Sequence, residues 1–188
     1  MSHHHNTLNV HDYHLGKIKT GAKGDIISLI DPQIENIHFE DIASALSNVC
    51  RFGGHIKPHY SVAQHSIVVC IMAPVQLKRA ALMHDAAEAY LGDVVKPLKV
   101  LLGETYRELE ERMTAAIFKK FDIDIALMEQ VKPFDLKALE IEEDYREGGC
   151  RLQDVIAGCY GLNFPCIWPP HYTNAMFINA WTKINKQA

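Results

Sequence analysis

The residues best suited to chemistry form a compact group at His84 and Asp85, with Glu88 one helical turn after the histidine. Apolar periodicity predicts a helix here and puts His84 between Ala81 and Ala87 on its inward face. Burying an ionised carboxylate beside an imidazole is unfavourable unless charge or hydrogen bonds compensate for the lost hydration. A divalent cation is the most economical partner, so the stretch indicates a metal site.

Two further residues have the chemistry and the placement of metal ligands. His65 occupies the inward stripe of an earlier predicted helix, and Asp135 shares a face with Ala138 and Glu142 on a later one. Together with the first pair they offer two nitrogens and two oxygens, a donor set that suits Mn, Fe, Co, Ni, Zn or Mg. Four protein ligands would leave room for water and a substrate oxygen, as a catalytic site requires.

Each residue taken alone also fits an ordinary structural role. An inward histidine such as His65 is more often a hydrogen-bonded core residue than a ligand, and Asp135 alone is no better a candidate than other acidic residues. Glu88 and Asp93 would serve equally well as a surface carboxylate and a helix cap. The metal interpretation therefore depends on the co-occurrence and spacing of the candidates.

The elements that must position these residues are predominantly helical. Ser61 is typical of an N-cap, Gly92 of a helix stop, and Pro133 is expected to interrupt its helix. A Pro/aromatic loop from Asn163 to Pro170 leads to a short final helix. The sequence therefore predicts an all-α helical bundle. The earlier helical patterns cover Glu40–Val49, Ser61–Met72, Val75–Leu91, Glu104–Phe121 and Ile125–Tyr145.

Residues 1–38 differ from the rest because they are rich in glycine and β-branched residues. Lys17–Thr20 and Asp25–Ile30, separated by two glycines, predict a short β-hairpin. We therefore expect an N-terminal extension over residues 1–38 and a single helical domain over residues 39–188. The three histidines at residues 3–5 are equally consistent with a tag fragment and with natural sequence.

Composition narrows the classes of partner. The 188 residues are 48% apolar and 22% charged with a net charge of −4, and no run of Lys or Arg occurs, which disfavours long nucleic acid as a ligand. No apolar stretch approaches the roughly 20 residues of a membrane span. The five cysteines form no C-x-x-C pair and no signal segment precedes them, so we expect free thiols and a cytoplasmic location.

The order His65, His84-Asp85, Asp135 on successive helices resembles the H…HD…D signature of the HD superfamily of metal-dependent phosphohydrolases. The resemblance covers roughly residues 41–143. Flanking residues are similar to bacterial 5′-deoxynucleotidases and to small phage and bacterial HD proteins, some of which are dATP triphosphohydrolases. The similar stretches include Glu40–Ala43, Arg51–His55, Tyr60–Ser66, His84–Glu88, Gly92-Asp93, Pro97–Lys99 and Tyr106–Glu110.

This resemblance implies a role for each candidate residue. A divalent ion would be held by His65, His84, Asp85 and Asp135. Glu88 and Asp93 match the family's acidic pair, which would orient or deprotonate the attacking water, protonate the leaving oxygen, or hold a second metal.

The residues implied to bind substrate are one aromatic and two cationic side chains. Arg51 is the stronger phosphate ligand, because a guanidinium can bind two oxygens at once. Lys99 is a weaker candidate that fits a solvated lysine on an amphipathic turn equally well. Phe52 is implied to pack against sugar or base.

The function favoured at this point is hydrolysis of (deoxy)nucleotide phosphate esters, by a 5′-deoxynucleotidase or a dNTP phosphohydrolase such as a dATPase. Two alternatives stay open: a (p)ppGpp or cyclic-nucleotide hydrolase, and a non-catalytic module that binds metal or nucleotide. The resemblance also implies a homo-oligomer. The apolar final helix, with Phe177 and Trp181, would serve an interface or close the core.

Overall fold

A computed structural model describes residues 11–12, 16–21, 23–160 and 166–187. The predominantly helical fold and the short N-terminal hairpin are both confirmed within these residues. The three N-terminal histidines and residues 163–165 of the Pro/aromatic loop lie outside them. The elements are β1 (Lys17–Lys19), β2 (Ile26–Ser28), α1 (Phe39–Asn48), α2 (Val62–Met72), α3 (Lys78–Met83), α4 (Glu88–Leu91), α5 (Lys96–Leu102), α6 (Glu104–Lys120), α7 (Met128–Arg146), α8 (Arg151–Tyr160) and α9 (Pro170–Gln187).

The hairpin pairs β1 and β2 antiparallel, with Ile18 opposite Ile27. The turn is closed by the Thr20 amide, which donates to the Asp25 carbonyl at 2.8 Å. Ile27 is fully buried and belongs to the same apolar core as the helices. Burial of this residue anchors the hairpin to the bundle. The division of the chain at residue 38 stays a prediction.

Helix α2 runs through the middle of the bundle and packs against α1, α3, α7 and α9. Ser61 caps it as predicted, because its hydroxyl accepts a hydrogen bond from the Gln64 amide at 3.2 Å. The helix is buried on nearly every side, so a polar residue on it needs a partner inside the protein. His65 lies one turn from the cap and is completely buried.

The continuous helix predicted over Val75–Leu91 is wrong. A short 3-10 turn precedes α3, and residues 84–87 separate α3 from α4. In this break the Ala86 amide donates to the Met83 carbonyl and the Glu88 amide to the Asp85 carbonyl, both at 3.0 Å, which is tight i→i+3 bonding. Gly92 ends α4 with a φ of 78°, a conformation that favours glycine.

Pro133 does not break its helix, contrary to the prediction, because α7 runs unbroken from Met128 to Arg146. Pro133 removes the N–H that would bond to the Glu129 carbonyl. Both residues are on the exposed side of the helix, where water can satisfy that carbonyl. The sequence interpretation also missed α5 and α8. Asp93 makes no capping bond among the described residues.

The final helix closes the core rather than presenting an apolar face. It has 18 residues, so it is longer than predicted. Phe177 is fully buried and stacks on Phe39 with ring centroids 5.7 Å apart, while Trp181 stacks on the same ring at 5.2 Å. Trp181 also meets Phe121 edge to face. Of the two roles left open for this helix, the structure supports closure of the core.

Candidate metal centre

Three elements bring the predicted ligands to one point in the bundle. His65 comes from the buried α2, His84 and Asp85 from the break between α3 and α4, and Asp135 from the middle of α7. The break has a local reason, since the His84 Nδ1–H donates to the Ala81 carbonyl at 2.8 Å. His65 and His84 are buried, whereas the two carboxylates remain partly open to solvent.

The distances between donor atoms match those of ligands on a single ion. His65 Nε2 lies 3.2 Å from His84 Nε2, 3.4 Å from Asp85 Oδ2 and 3.1 Å from Asp135 Oδ1. His84 Nε2 lies 3.2 Å from Asp85 Oδ2 and 3.6 Å from Asp135 Oδ1. Donors bound at about 2.1 Å to one cation lie about 3.0 Å apart at right angles and about 3.4 Å apart in a tetrahedron. His65, His84 and Asp135 therefore form a possible metal-binding triad, with Asp85 beside it.

The tautomers of both histidines make this arrangement unfavourable without a cation or added protons. The Nδ1 atom of His84 faces a carbonyl, and that of His65 faces the Glu142 carboxylate at 2.6 Å, so both Nδ1 atoms carry hydrogen. In neutral imidazoles this leaves lone pairs on the two Nε2 atoms, which face each other and the carboxylate oxygens. A divalent cation relieves this repulsion, so the donor set fits a metal ion.

The electrostatics lead to the same conclusion. Burial disfavours the imidazolium form of His84, but Asp85 and Asp135 outweigh burial and raise its pKa well above the ordinary value. Burial likewise opposes ionisation of Asp135, yet its hydrogen bonds to His65 and His84 lower its pKa. The carboxylates are thus held ionised and attract positive charge to the point where the ligands meet.

Glu142 contacts His65 on the side of the ring away from the other predicted ligands. It is a residue of the site to which the sequence interpretation assigned no role. Its side chain is fully buried. It accepts hydrogen bonds from His65 Nδ1 at 2.6 Å, from the Tyr60 hydroxyl at 2.9 Å and from Arg51 Nη2 at 3.0 Å. The available signal was its position two turns after Asp135 on the same helix face. A carboxylate behind a ligating histidine fixes the tautomer and raises the basicity of the ring.

Arg51 lies close to the centre, but most of its charge is already engaged. Besides its bond to Glu142, its Nη1 lies 3.6 Å from Asp85 Oδ2. Burial disfavours the guanidinium, yet Glu142 and Asp85 outweigh burial and raise its pKa above the ordinary value. Arg51 therefore holds two acidic residues of the site in place, and Nη1 is the part of it directed toward the predicted ligand Asp85.

The structure places Phe52 away from the cavity beside the metal ligands. Its ring lies under the guanidinium groups of Arg51 and Arg146, at 5.4 and 4.5 Å from the ring centroid. Its φ of 58° is rare for a residue with a side chain. Contact with sugar or base therefore stays a prediction for this residue, whereas its packing against two arginines is observed.

A cavity of about 550 Å³ opens beside the predicted ligands His84, Asp85 and Asp135. Glu88 and Lys99 line it, as a substrate site would require of them. Lys99 Nζ lies 2.6 Å from Glu110 Oε1 and 3.6 Å from Glu88 Oε1. Burial, reinforced by nearby carboxylates, raises the pKa of Glu88 to about 9. One oxygen of Glu88 is buried without a hydrogen-bond partner among the described residues, so it can meet a ligand.

Asp93, the second member of the predicted acidic pair, does not line this cavity in the described part of the chain. Its Oδ2 is buried and has no hydrogen-bond partner among the described residues. Its negative charge contributes to the raised pKa values of Glu88 and Arg51. Asp93 therefore influences the site through its charge and is not among the described residues that line the cavity.

Comparison with known proteins gives relatives without a stated activity. No family model matches the chain. It is 43% identical over 108 residues to "Uncharacterized protein YfdR" of Escherichia coli K12, covering 57% of this chain and 60% of that protein. It is 36% identical over 118 residues to "Uncharacterized protein RCAP_rcc00048" of Rhodobacter capsulatus, covering 58% and 60%. The match thus spans about three fifths of each relative's length. Within the described residues, no helix is both long and apolar enough to cross a membrane.

Proposed function

We propose that this protein is a metal-dependent phosphohydrolase of the HD type that cleaves a phosphate ester of a (deoxy)nucleotide. One observation carries the proposal. Two buried imidazoles and two carboxylates converge at ligand spacing on the edge of a cavity that also holds a protonatable carboxylate and a lysine. Hydrolysis of a phosphate ester needs charge neutralisation, a positioned water and a proton for the leaving oxygen.

A divalent cation held by His65, His84, Asp85 and Asp135 would supply the positive charge and the Lewis acidity that the non-bridging phosphoryl oxygens need. The protein contributes the fixed geometry of these ligands. Glu142 and the Ala81 carbonyl hold the imidazole rings so that their Nε2 atoms face the cation position. This arrangement requires no rearrangement when substrate binds, which is the advantage of a preorganised site.

The cavity residues supply the proton and the phosphate contact. In the metal-free protein burial raises the pKa of Glu88 to about 9, which favours the protonated form that can protonate the leaving oxygen of a phosphate ester. Lys99, held by Glu110 at the cavity wall, can bind a phosphate oxygen. Lys132 adds a second positive charge to the cavity lining.

The size and lining of the cavity support a small nucleotide as the substrate class. About 550 Å³ is within the range of roughly 300–1,000 Å³ that small-molecule sites occupy. Ile125, Met128 and Val131 give the wall an apolar part that suits a base or sugar, in addition to its ionic residues. The net charge of −4 is unsuited to long nucleic acid. We also propose that the protein works in the cytoplasm, where its thiols stay reduced.

The test is product release from a panel of ribo- and deoxynucleoside mono-, di- and triphosphates, with (p)ppGpp and cyclic nucleotides included. Each would be assayed with Mn, Co, Zn, Mg or Fe, and the products separated by chromatography. We expect turnover that a chelator abolishes and that Asp85→Asn lowers to background. Nucleoside and phosphate from monophosphates would identify a 5′-nucleotidase, and cleavage of triphosphates a dNTP phosphohydrolase. Bound metal and tight nucleotide binding without turnover would instead establish a binding module.

A further inference from the structure

A second cavity, of about 170 Å³, lies between α2, α3 and α9 and, among the described residues, shares none of its lining with the metal centre or with the larger cavity. Its apolar lining comes from Ile67, Cys70 and Ile71 of α2 and from Ala180 and Ile184 of α9. Residues three or four apart lie on one face of a helix, so each helix presents one apolar face to the cavity. Ile67 and Cys70 are buried, whereas the other three are partly exposed. The second cavity therefore has a buried apolar floor and walls that reach the surface.

The charged residues that line the second cavity are cations. Lys78 at the start of α3 and Lys183 on α9 line it, and within the described chain no acidic side chain does so. Neither lysine forms a hydrogen bond or an ion pair with another described residue. Burial raises the pKa of the Cys70 thiol to about 12 and the Lys78 ammonium opposes this rise, so the charge of Lys78 lies near the floor. This positive excess is local, because acidic residues outnumber Lys and Arg by 23 to 19 in the whole chain. Cations without a partner beside an apolar floor favour an anionic ligand with an apolar part.

We propose that the second cavity binds a short-chain carboxylate, with its alkyl chain on the apolar floor and its carboxylate group paired with Lys78 and Lys183. The volume limits the length of the chain. About 170 Å³ is below the roughly 300–1,000 Å³ of sites for larger ligands, and at about 30 Å³ for each water-sized group it holds about six such groups. A carboxylate carries one charge, so its transfer from water is less unfavourable than that of a phosphate group with a charge near −2.

Methyl NMR of the full chain, labelled at its isoleucine methyl groups and titrated with hexanoate, tests the site. We expect saturable shifts at Ile67, Ile71 and Ile184, and unchanged signals from Ile27 and Ile117, which are buried outside the cavity lining. Butanoate lacks two methylene groups and should bind up to about fifteenfold more weakly, because each buried methylene contributes up to about fourfold in affinity. Hexylammonium has the same chain and the opposite charge, so it should bind at least about tenfold more weakly than hexanoate. Equal binding of hexanoate and hexylammonium, or shifts that never saturate, would overturn the proposal.

Substitutions separate the contribution of the lysines from that of the floor. Lys78→Met and Lys183→Met should each weaken hexanoate binding by about two- to fivefold, as the loss of one solvent-accessible ion pair does. The matched control is Lys186→Met, at an exposed lysine on α9 outside the cavity lining, which should bind hexanoate as the wild type does. Ala180→Phe fills the second cavity and should abolish binding, with circular dichroism as the check that it folds. Wild-type affinity in both Lys78→Met and Lys183→Met, or in folded Ala180→Phe, would contradict the site.

Discussion

Replacing Glu142 with glutamine should weaken metal binding although no predicted metal ligand is replaced. The carboxylate accepts from three donors: His65 Nδ1, the Tyr60 hydroxyl and Arg51 Nη2. Glutamine has the same shape, but its amide offers one acceptor oxygen and one NH₂ group. Whichever way the amide is oriented, its NH₂ group faces at least one of these donors. The buried Arg51 guanidinium also loses its closest negative partner.

The burial of Glu142 and its contacts with Arg51 and His65 set the expected losses of stability and of metal affinity. Removing one member of a buried, hydrogen-bonded charge pair costs about 3–5 kcal/mol of unfolding free energy. At roughly 2–4 °C per kcal/mol for a domain of this size, the metal-free Glu142→Gln variant should melt well below the wild type. Loss of a partner behind a ligating histidine typically weakens metal binding by about 10- to 100-fold. We expect both effects, because one side chain supports the bundle and the His65 ring.

Two measurements check this expectation. Urea unfolding of chelator-treated protein gives the stability change, and competition with a chelator of known affinity gives the change in metal affinity. Glu143→Gln is the matched control. That neighbouring carboxylate pairs with Arg146 near the surface, so its loss should cost less than about 1 kcal/mol and leave metal binding unchanged. Wild-type metal affinity in Glu142→Gln would refute the claim that this residue fixes the His65 tautomer.

Four further results are expected. Glu88→Gln should bind metal normally but hydrolyse substrate about 10²- to 10⁴-fold more slowly; normal turnover would exclude Glu88 as the proton donor. In the chelator-treated protein, the pKa of Glu88 is raised from 4.5 to about 9, so the free energy of unfolding of the wild type falls as the pH rises between these values. Glu88→Gln lacks this titration and should become progressively more stable relative to the wild type over the same range, as urea unfolding at several pH values would show. Pro133→Ala should raise the unfolding free energy by about 1–3 kcal/mol, because α7 regains an N–H donor; a loss would mean that proline's stiffening of the unfolded chain dominates. A thiol reagent should modify the exposed Cys150 and Cys159 quickly and Cys70 only on unfolding, since burial raises the Cys70 pKa to about 12; equal rates by mass spectrometry would contradict its burial.

Features that depend on neighbours along the chain were accessible from the sequence. Helical periodicity placed His65 on a buried face, and Ser61 and Gly92 marked the start and the end of helical segments. Caps and stops act through backbone groups within a few residues, so local chemistry decides them. The same locality made Pro133 misleading, because whether its freed carbonyl meets water depends on which side of α7 faces the solvent.

The sequence by itself therefore determined the helical class, the hairpin and the residue types that can bind a metal. Only the tertiary structure decided which of the charged side chains contact one another. Glu142 binds partners that precede it by 91, 82 and 77 residues, and no local pattern encodes such a choice. Arg51 was expected to bind substrate, but its guanidinium group forms ion pairs with Glu142 and Asp85. The ion pairs of Lys99 arise in the same way, because only folding brings Glu88 and Glu110 near it. Buried charges select their partners by proximity in space, and proximity is a property of the whole fold.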